Sequence, residues 1–381
     1  MRQAMSNAAR EMWLWQQIVS PHMAGLASAL AARGWCVTYV ANTRMSAERA
    51  RLGWQCPDLG GARLMIGSSA SDVTTLARSA PRSAVHLCEG IRGNGLVGTA
   101  QRALMSNDAR VWVAMETIDL AGIRGLLKAL EYRRLMLRMR SKIEGVLAIG
   151  HRTAAWVESC GMLAQRVFPF AYFLQDRGRV PYQVHCRRDG FRVAFVGRID
   201  ANKRLSLLIS ALATIRRPDI ELIVVGAGPL EPNMRALARR SLDGPVTWTG
   251  ILPMGQVQAL LATVDCLVLP SRHDGWGVVV SEALMVGTPV ICSDGCGSAG
   301  VVRASCRGGV FESGSAAQLA EALSATLEDG HYCGALRQQL AEWAEALGAD
   351  AGATYLERII EHATGHSERP RPPWTKSAHD A

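Results

Sequence analysis

Two acidic residues, Asp274 and Glu282, are separated by seven residues in a glycine-rich stretch of the chain. The apolar run 265–269 precedes them and reads as a buried parallel strand. A polar loop at 271–277 and a helix at 278–286 follow, and the next strand begins soon after. Ligands of α/β sheets bind outside the carboxyl ends of strands. Both acids are therefore predicted to lie at a binding site.

The same stretch suits an anion that carries hydroxyl groups at both ends. Free backbone N–H groups at the start of the helix, near Val278, would face a diphosphate. Gly275 and Gly277 would let the backbone approach it closely. Carboxylates beside phosphate are expected to bond hydroxyl groups instead, Asp274 those of a sugar and Glu282 those of a ribose. A nucleotide sugar combines these features.

A second group of residues is suited to phosphate. Gly197 and Arg198 follow the predicted strand 191–196, and Lys203 precedes an apolar helix. A glycine and two cations in this setting can hold a diphosphate leaving group. Acids are usually preferred at a helix start, which favours a ligand-binding role for these cations over a purely surface role.

Two further loops follow predicted strands in the second half. Gly226-Ala227-Gly228-Pro229 follows the strand 221–225, and Gly250 to Leu252 follows the strand 246–248. The first loop lacks the third glycine of a dinucleotide fingerprint, and no acid follows it at the spacing of a ribose contact. A dehydrogenase is therefore disfavoured.

The stretch PSRHDGWGVVVSEALMVGTPV resembles the nucleotide-binding signature of retaining family 4 glycosyltransferases, the glycosyl transferases group 1. In that family two glutamates separated by seven residues flank a Gly-aromatic-Gly core. Glu282 matches the second glutamate, whereas Asp274, one methylene shorter, stands in place of the first. The resemblance spans Phe191 to about Leu323 and is weaker in the N-terminal half.

This resemblance implies the α/β GT-B fold, with two Rossmann-like doubly wound domains facing a central cleft. It also implies a nucleotide-diphosphate sugar as donor and no metal, in keeping with the lack of an Asp-x-Asp motif at a strand end. The loop at Gly250 is implied to border the base. The residues expected to be catalytic are Asp274, Glu282, Arg198, Lys203 and His22, and those expected to contact the donor are Gly197, Gly226, Gly228, Gly250, Leu252, Gly275, Trp276, Gly277 and Val278.

The length of 381 residues favours two domains. Strands are predicted at 12–19, 37–41, 85–88, 111–115 and 145–149 in the first half. The expected divisions are an acceptor-binding domain at 1–173, a linker at 174–190, a nucleotide-sugar-binding domain at 191–342, C-terminal helices at 343–364 and a disordered tail at 365–381. In GT-B proteins the last helix commonly crosses back to the N-terminal domain.

Polar residues after N-terminal strands are candidates for binding the acceptor, a glycan or a lipid-linked sugar. His22 lies in a Ser-Pro-His sequence that resembles the N-terminal loop of several family members. Arg92 is a candidate for an acceptor phosphate, and Glu116 and Asp119 for hydroxyl groups. Polar residues in such places also serve as caps or turn residues, so both roles stay open.

The net charge of +9 favours an anionic partner: lipid, nucleic acid or substrate phosphate. The segment 128–142 carries six cations against Glu131, with leucines and methionines between them. It suits either a helix on an anionic membrane surface or an ordinary solvated helix. No aromatic stacking platform accompanies the charge, which disfavours nucleic acid.

The N-terminus does not read as a secretory signal, and no apolar run is long enough to span a bilayer. Ten cysteines without CxxC pairs suggest reduced thiols. We therefore expect a cytoplasmic protein, or one peripheral to the inner membrane face. The predicted function is retaining glycosyl transfer in cell-surface polysaccharide or lipid-linked oligosaccharide synthesis. A nucleotide-sugar 2-epimerase and an inactive nucleotide-sugar-binding subunit are the alternatives.

Overall fold

The computed structural model describes residues 10–51, 54–175 and 190–375. Each half of the chain forms a parallel sheet flanked by helices. The first half contains strands β1 (Glu11–Ile18), β2 (Cys36–Thr43), β3 (Arg63–Ile66), β4 (Val85–Glu89), β5 (Arg110–Glu116), β6 (Ile143–Ile149) and β7 (Val167–Phe170). Its helices are α1 (Pro21–Ala32), α2 (Ala47–Arg51), α3 (Ala70–Ser79), α4 (Val97–Ser106), α5 (Gly122–Met139) and α6 (Thr153–Ser159).

The second half repeats this design. Its strands are β8 (Phe191–Val196), β9 (Ile220–Val225), β10 (Val246–Gly250), β11 (Cys266–Leu269), β12 (Val290–Ser293) and β13 (Gly308–Phe311). Its helices are α7 (Leu205–Ile215), α8 (Glu231–Ser241), α9 (Met254–Leu261), α10 (Val278–Met285), α11 (Ala299–Ser305), α12 (Ala316–Asp329), α13 (Ala335–Ala344) and α14 (Ala349–Ala363).

Both sheets have doubly wound topology. The strand order is β3-β2-β1-β4-β5-β6-β7 in the first and β10-β9-β8-β11-β12-β13 in the second. The order reverses beside β1 and beside β8, which creates a crevice at the carboxyl ends of the strands. Central strands such as β11 are fully buried because helices cover both faces of the sheet. The predicted pair of Rossmann-like α/β domains is confirmed.

Helix α1 shows how the sequence defines an element boundary. Ser20 is its N-cap and accepts a hydrogen bond from the backbone N–H of His22 at 3.3 Å. Pro21 occupies the first helical position, where its missing N–H costs nothing. The cap therefore fixes the start of α1, and with it the place of His22 just after β1.

Some elements differ from the sequence-based expectation. Strands β3 and β7 and helices α2, α3 and α6 were not predicted. Pro169 lies within β7, which among the described strands pairs with β6 alone, at the edge of the sheet. An edge strand tolerates proline because the missing N–H faces away from the ladder.

The C-terminal helices connect the two halves. Helix α14 packs on α1, and the Glu357 carboxylate accepts hydrogen bonds from Arg33 at 2.6 Å and from the Trp35 indole at 2.8 Å. Leu174 and Ala349 also exchange a backbone hydrogen bond of 2.8 Å near the end of the first half. The last helix thus returns to the first domain, as the family resemblance implies. Most of the predicted linker, residues 176–189, lies outside the described residues.

The expected disordered tail is wrong for residues 365–375. Arg369 lies over the Phe168 ring at 4.6 Å and donates to the Val167 carbonyl. Trp374, in a short 3₁₀ turn, packs near Phe173 and Trp276. The polar composition of this segment predicted disorder, but contacts of one arginine and one tryptophan are sufficient to hold it against the protein. Residues 376–381 lie outside the described part of the chain.

Among the helices in the described ranges, none has the length and apolar character needed to span a bilayer.

Candidate active site

A cleft of about 670 Å³ lies between the two domains. The ends of β4 and β5 and the loops after β2, β7, β8, β9, β10 and β11 line it, so the carboxyl ends of both sheets face each other across it. The residues predicted from the sequence that line this cleft are His22, Glu116, Gly197, Arg198, Lys203, Gly226, Leu252, Asp274, Trp276, Gly277, Val278 and Glu282.

Three predicted donor contacts do not line the cleft. A Cβ on Gly228 would overlap the Ile199 carbonyl, so this glycine permits close packing between two loops. The Gly250 carbonyl accepts a 2.7 Å hydrogen bond from the Gly226 N–H and so supports the neighbouring loop. Gly275 faces the first domain, where a Cβ would overlap the carboxylate of Glu116. These glycines shape the walls.

The loop that carries Asp274 is held by a second loop after β12. The backbone N–H of Asp274 donates to the Gly295 carbonyl at 3.0 Å, and its carbonyl accepts from Gly297 at 2.9 Å. The N–H of Ser298 donates to the Trp276 carbonyl at 2.9 Å. Backbone bonds on both sides therefore fix the position of the Asp274 side chain.

An ion pair joins Lys203 and Asp274 across the second-domain wall. Asp200 Oδ1 accepts the backbone N–H of Lys203 at 2.9 Å, and Asn202 donates to the His273 carbonyl at 2.8 Å. The loop after β8 is thus tied to the Asp274 loop. Burial opposes the charge on Lys203, but the Asp274 carboxylate outweighs it, so the pKa of Lys203 is raised. This lysine stays protonated at neutral pH.

Gly226 allows the loops after β8 and β9 to approach each other. Its φ of +125° is unfavourable for other residues, and a Cβ would overlap the carbonyl of Gly197. This close approach keeps side chains out of the cleft floor, beside the exposed Arg198. A ligand in the cleft can therefore contact the backbone of these two loops and the Arg198 side chain at the same time.

Helix α10 points its first residues into the cleft. Its N-cap is Gly277, at φ +83°, and no side chain of the described residues caps it. Val278 and Val279 line the cleft at this end, where the helix dipole is positive. Glu282 lies one turn further on and is 8% exposed. The Trp276 indole donates to Ser281 at 3.0 Å and packs beneath the cleft as a wall residue.

The first-domain wall contains His22 among aromatic rings. The ring centroids of Trp54 and Tyr172 lie 5.0 and 4.9 Å from that of His22. Burial, and to a smaller extent the charge of Arg49, lowers the pKa of His22 to about 3. His22 is therefore neutral at physiological pH, and its buried Nδ1 is unpaired within the described structure.

Two glutamates complete this wall. Glu89 ends β4 and accepts the backbone N–H of Gln17 at 3.1 Å, and Glu116 ends β5. Burial raises the pKa of both carboxyls, although hydrogen bonds from Gln17 and from Tyr172 act in the opposite direction. The two acids face the cleft from adjacent strands.

Other sequence-based candidates have different partners. Arg92 pairs with Glu131 at 3.3 Å and does not line the cleft. It is therefore not placed to bind an acceptor phosphate in the cleft, contrary to the prediction. Asp119 pairs with Arg272 at 2.9 Å between the domains.

Residues of the first-domain wall that were not predicted from the sequence include Ser46, Arg49, Trp54 and Tyr172. Arg49 stacks on the Trp54 ring, with its guanidinium carbon 4.4 Å from the ring centroid. Tyr172 follows β7, and recognising that strand would have placed it after a strand end. No pattern in the sequence marks the segment of Arg49 and Trp54.

A second cavity of about 280 Å³ lies on the other side of the Asp274 loop. Ile118, Leu120, His151 and Arg272 are among its lining residues, together with Asp274 itself. The cavity therefore leads from the start of α5 to the acid shared by both spaces.

These features of the second domain agree with a comparison with known families. Residues 184–346 match the family model described as glycosyl transferases group 1. The match covers less than half of the chain, and it contains every predicted second-domain site residue, from Gly197 to Glu282.

Curated relatives of the chain are also glycosyltransferases. An alpha-D-kanosaminyltransferase of Streptomyces kanamyceticus is 28% identical over 199 residues, which cover 49% of this chain and 50% of that protein. A D-inositol 3-phosphate glycosyltransferase of Corynebacterium aurimucosum is 31% identical over 180 residues, 45% of this chain and 43% of that protein. The chain thus matches about half the length of these relatives.

Solved structures share the whole fold. Anabaena HepE in complex with UDP superposes with a TM-score of 0.69 at 15% identity, covering 93% of this chain and 100% of that one. The lipopolysaccharide outer core galactosyltransferase WaaB superposes with a TM-score of 0.66 at 14% identity, covering 92% and 99%. The fold of the chain is therefore GT-B.

Proposed function

We propose that this protein transfers a sugar from a nucleoside diphosphate donor to an acceptor hydroxyl with retention of the anomeric configuration, as a member of family 4. The observation that carries the proposal is the second-domain wall. There, the Lys203–Asp274 pair, Glu282 and the uncapped start of α10 line one cleft.

Each part of a nucleotide sugar has a suitable partner in this wall. The diphosphate would lie against the start of α10 and the cations Arg198 and Lys203. Glu282, one turn into α10, would accept hydroxyl groups of the ribose. Asp274 would bond hydroxyls of the transferred sugar. The base would lie near Gly226 and Leu252, which line the cleft in the loops after β9 and β10.

The chemistry follows from charge. When the bond between the anomeric carbon and the phosphate breaks, the sugar ring becomes positive and the departing phosphate becomes more negative. Lys203, Arg198 and the α10 dipole would stabilise that phosphate. The acceptor hydroxyl would attack from the same face, and the departing phosphate would take its proton. The Asp274 carboxylate, whose place Lys203 fixes, would lie beside the positive ring.

We also propose that no metal is needed, because cations and helix dipole occupy the position that a divalent ion would otherwise fill. Activity should persist in excess EDTA. A loss that added Mg²⁺ restores would contradict this part of the proposal.

The experiment that tests the function is a screen of UDP-, GDP- and ADP-sugars with host membranes and soluble glycans as acceptors, followed by NMR of the product's anomeric proton. A product with the donor's configuration supports the proposal. Free sugar epimerised at C2 identifies a 2-epimerase, and binding of a nucleotide sugar without turnover identifies a binding subunit. An inverted product contradicts retention.

We further propose that α5 rests on an anionic membrane surface on the cytoplasmic side. Of the apolar residues interleaved with the cations, Leu130, Leu135, Met136, Leu137 and Met139, Met136 is buried in the core. The exposed stripe begins earlier, with Ile123 at 79%, Leu126 at 62% and Leu127 at 61% exposed, followed by Leu130 and Leu137. The positions 123, 126, 127 and 130 share one helix face.

Cations flank this stripe. Arg124 and Lys128 lie on one side, and Arg133 on the other, and all are exposed. An apolar stripe between cations fits acyl chains bordered by anionic headgroups. The start of α5 also borders the cavity that reaches Asp274. This arrangement supports a lipid-linked acceptor in polysaccharide or oligosaccharide synthesis.

Sedimentation with vesicles tests the membrane contact. The wild type should bind vesicles of phosphatidylglycerol and phosphatidylethanolamine, and not vesicles of phosphatidylcholine alone. The double variant Leu126→Gln/Leu127→Gln should bind at least about fivefold less. The control Leu336→Gln changes an exposed leucine on α13 and should bind normally. Equal binding of the double variant and the wild type would contradict the proposal.

A further inference from the structure

The first-domain wall has an excess of negative charge that the proposed function does not explain. Glu89 and Glu116 both line the cleft, and within the described ranges neither forms an ion pair. Arg49 is the cation of the described lining on this side, and it stacks on Trp54. His22 is neutral. Two carboxylates against one guanidinium leave a net negative charge.

The second-domain wall does not compensate for this charge. Lys203 is paired with Asp274, and Arg198 lies near Asp200 at 3.8 Å on the diphosphate side. Burial raises the pKa of Glu89 and of Glu116, and Arg49, the single nearby cation of the described lining, only partly opposes this shift. The missing partner is therefore expected to be a cation that arrives with a ligand.

The side chains of the first-domain wall indicate which kind of ligand would carry this cation. The rings of Trp54, Tyr172 and His22 surround the same space. Aromatic faces suit the C–H face of a sugar or cyclitol ring, and they attract an ammonium group. Glu116 also reaches across the cleft to Gly275, beside Asp274. A ring held by these residues would have a hydroxyl group near the donor sugar.

We propose that the acceptor carries an ammonium group, as an amino sugar or an aminocyclitol does, and that Glu89 and Glu116 bind it. This inference rests on the proposed glycosyl transfer, because it concerns the acceptor of that reaction. A phosphate-bearing acceptor is disfavoured, because its charge would face two carboxylates. A neutral sugar would bring no positive charge to these two buried carboxylates.

The test compares three matched probes: D-glucosamine, D-glucose and D-glucose 6-phosphate. Binding to the full chain is measured by NMR at millimolar ligand concentrations without donor, so the result does not depend on the donor's identity. We expect glucosamine to bind about tenfold more tightly than glucose, and glucose 6-phosphate to bind least. Equal binding of glucosamine and glucose, or a preference for the phosphate, would overturn the proposal.

Variants of Glu89 and Glu116 test whether these two acids cause the preference for glucosamine over glucose. Glu89→Gln and Glu116→Gln keep side-chain size and should reduce the preference for glucosamine to about twofold or less. The control Glu158→Gln changes an exposed acid of α6 and should keep it. Thermal unfolding verifies that each variant is folded. If both variants keep the wild-type preference, the acids do not bind the ammonium group and the inference fails.

Donor binding separates this inference from the function on which it rests. Glu89→Gln and Glu116→Gln should bind the nucleotide sugar as the wild type does. A wild type that binds glucosamine selectively but no nucleotide sugar would contradict the proposed function alone. A wild type that transfers sugar equally well to amino and neutral acceptors would contradict the ammonium site alone.

Discussion

At the residue scale, the main feature is the ion pair between Lys203 and Asp274. The two residues are 71 positions apart, and separate loops carry them into contact. The pair keeps a positive charge beside the proposed phosphate position and fixes the acid that would face the sugar ring. Each residue thereby determines the position of the other, and the Asp274 carboxylate raises the pKa of Lys203.

Replacing Lys203 tests this dual role. Lys203→Met should reduce kcat/KM for transfer by about 100-fold, because phosphate stabilisation and the placement of Asp274 are lost together. Steady-state kinetics measure the effect. Arg239→Met removes an exposed cation on α8 and serves as the control, with kinetics expected within about twofold of the wild type. A Lys203→Met enzyme with normal kcat/KM would exclude the role.

His22 makes the stability of the protein depend on pH. Its pKa is about 3 in the folded protein and 6.5 ordinarily. The unfolded chain therefore takes up a proton below pH 6.5 that the folded protein does not. This histidine contributes stability above pH 6.5, and the contribution is lost as the pH falls towards 3.

The corresponding measurement is the free energy of unfolding by urea at pH 7 and pH 4.5. The loss between these pH values should be smaller in His22→Asn than in the wild type, because asparagine does not take up the proton. His366→Asn changes an exposed histidine and should retain the wild-type loss. An identical loss in His22→Asn and the wild type would show that His22 does not resist protonation.

The residue scale also shows the limits of prediction from sequence. The types and spacing of Asp274 and Glu282 were sufficient to place both at one cleft. The sequence reading assigned Lys203 to phosphate alone, because contact between two loops distant in sequence leaves no local pattern. Arg49 and Trp54 were missed for the same reason.

At the element scale, the return of α14 to the first domain depends on one carboxylate. Glu357 has an 11% exposed side chain and accepts hydrogen bonds from Arg33 and from the Trp35 indole. Removing it leaves the indole N–H without a partner in a buried place. Leaving a buried donor or charge without its partner lowers the free energy of unfolding by more than the intact interaction contributes to it.

Glu357→Ala should therefore lower the free energy of unfolding by about 3 kcal/mol. Glu361→Ala, one turn further along α14, removes a carboxylate with 49% exposure and should cost less than about 0.5 kcal/mol. Urea denaturation at pH 7 measures both. Equal losses in the two variants would indicate that the contact of α14 with α1 does not depend on this cluster.

Elements with a clear period or a clear end were predictable. Helix α1 has Ser20 and Pro21 at its start, and α10 is followed by Gly287. Strand β7 was not predictable, because Pro169 argues against a strand unless its edge position is known. The 365–375 segment was missed because two anchoring side chains, Arg369 and Trp374, outweigh a polar composition.

At the scale of the whole molecule, the two domains approach each other at Gly275. A side chain there would displace the carboxylate of Glu116. Because that carboxylate is the end of a flexible side chain, the first consequence is a change in the first-domain wall. The second-domain wall, which would bind the donor, lies on the other side of the loop.

Gly275→Ala should therefore raise the KM for the acceptor about tenfold and leave the KM for the donor nearly unchanged. Initial rates with each substrate varied separately measure this division. Gly255→Ala is the matched control, because a Cβ at that exposed position of α9 meets open space. A rise in the donor KM instead would indicate that the loop, and not Glu116, had moved.

The molecular scale was predictable in outline. Repeated strand and helix patterns in each half indicated two doubly wound domains, and the order of their strands follows from that fold. How the first-domain wall faces the Asp274 loop could not be predicted, since it depends on packing between the halves and on the contact of α14 with α1.

The most direct test of the account is calorimetric binding of UDP-, GDP- and ADP-sugars to the wild type, Glu282→Gln and the control Glu321→Gln, which changes an exposed acid on α12. The account predicts that the wild type and Glu321→Gln bind one nucleotide sugar with equal affinity. It predicts that Glu282→Gln binds the same compound at least about tenfold more weakly, because the ribose contact is lost. If no nucleotide sugar binds the wild type, or if Glu282→Gln binds it equally well, the proposed donor site is contradicted.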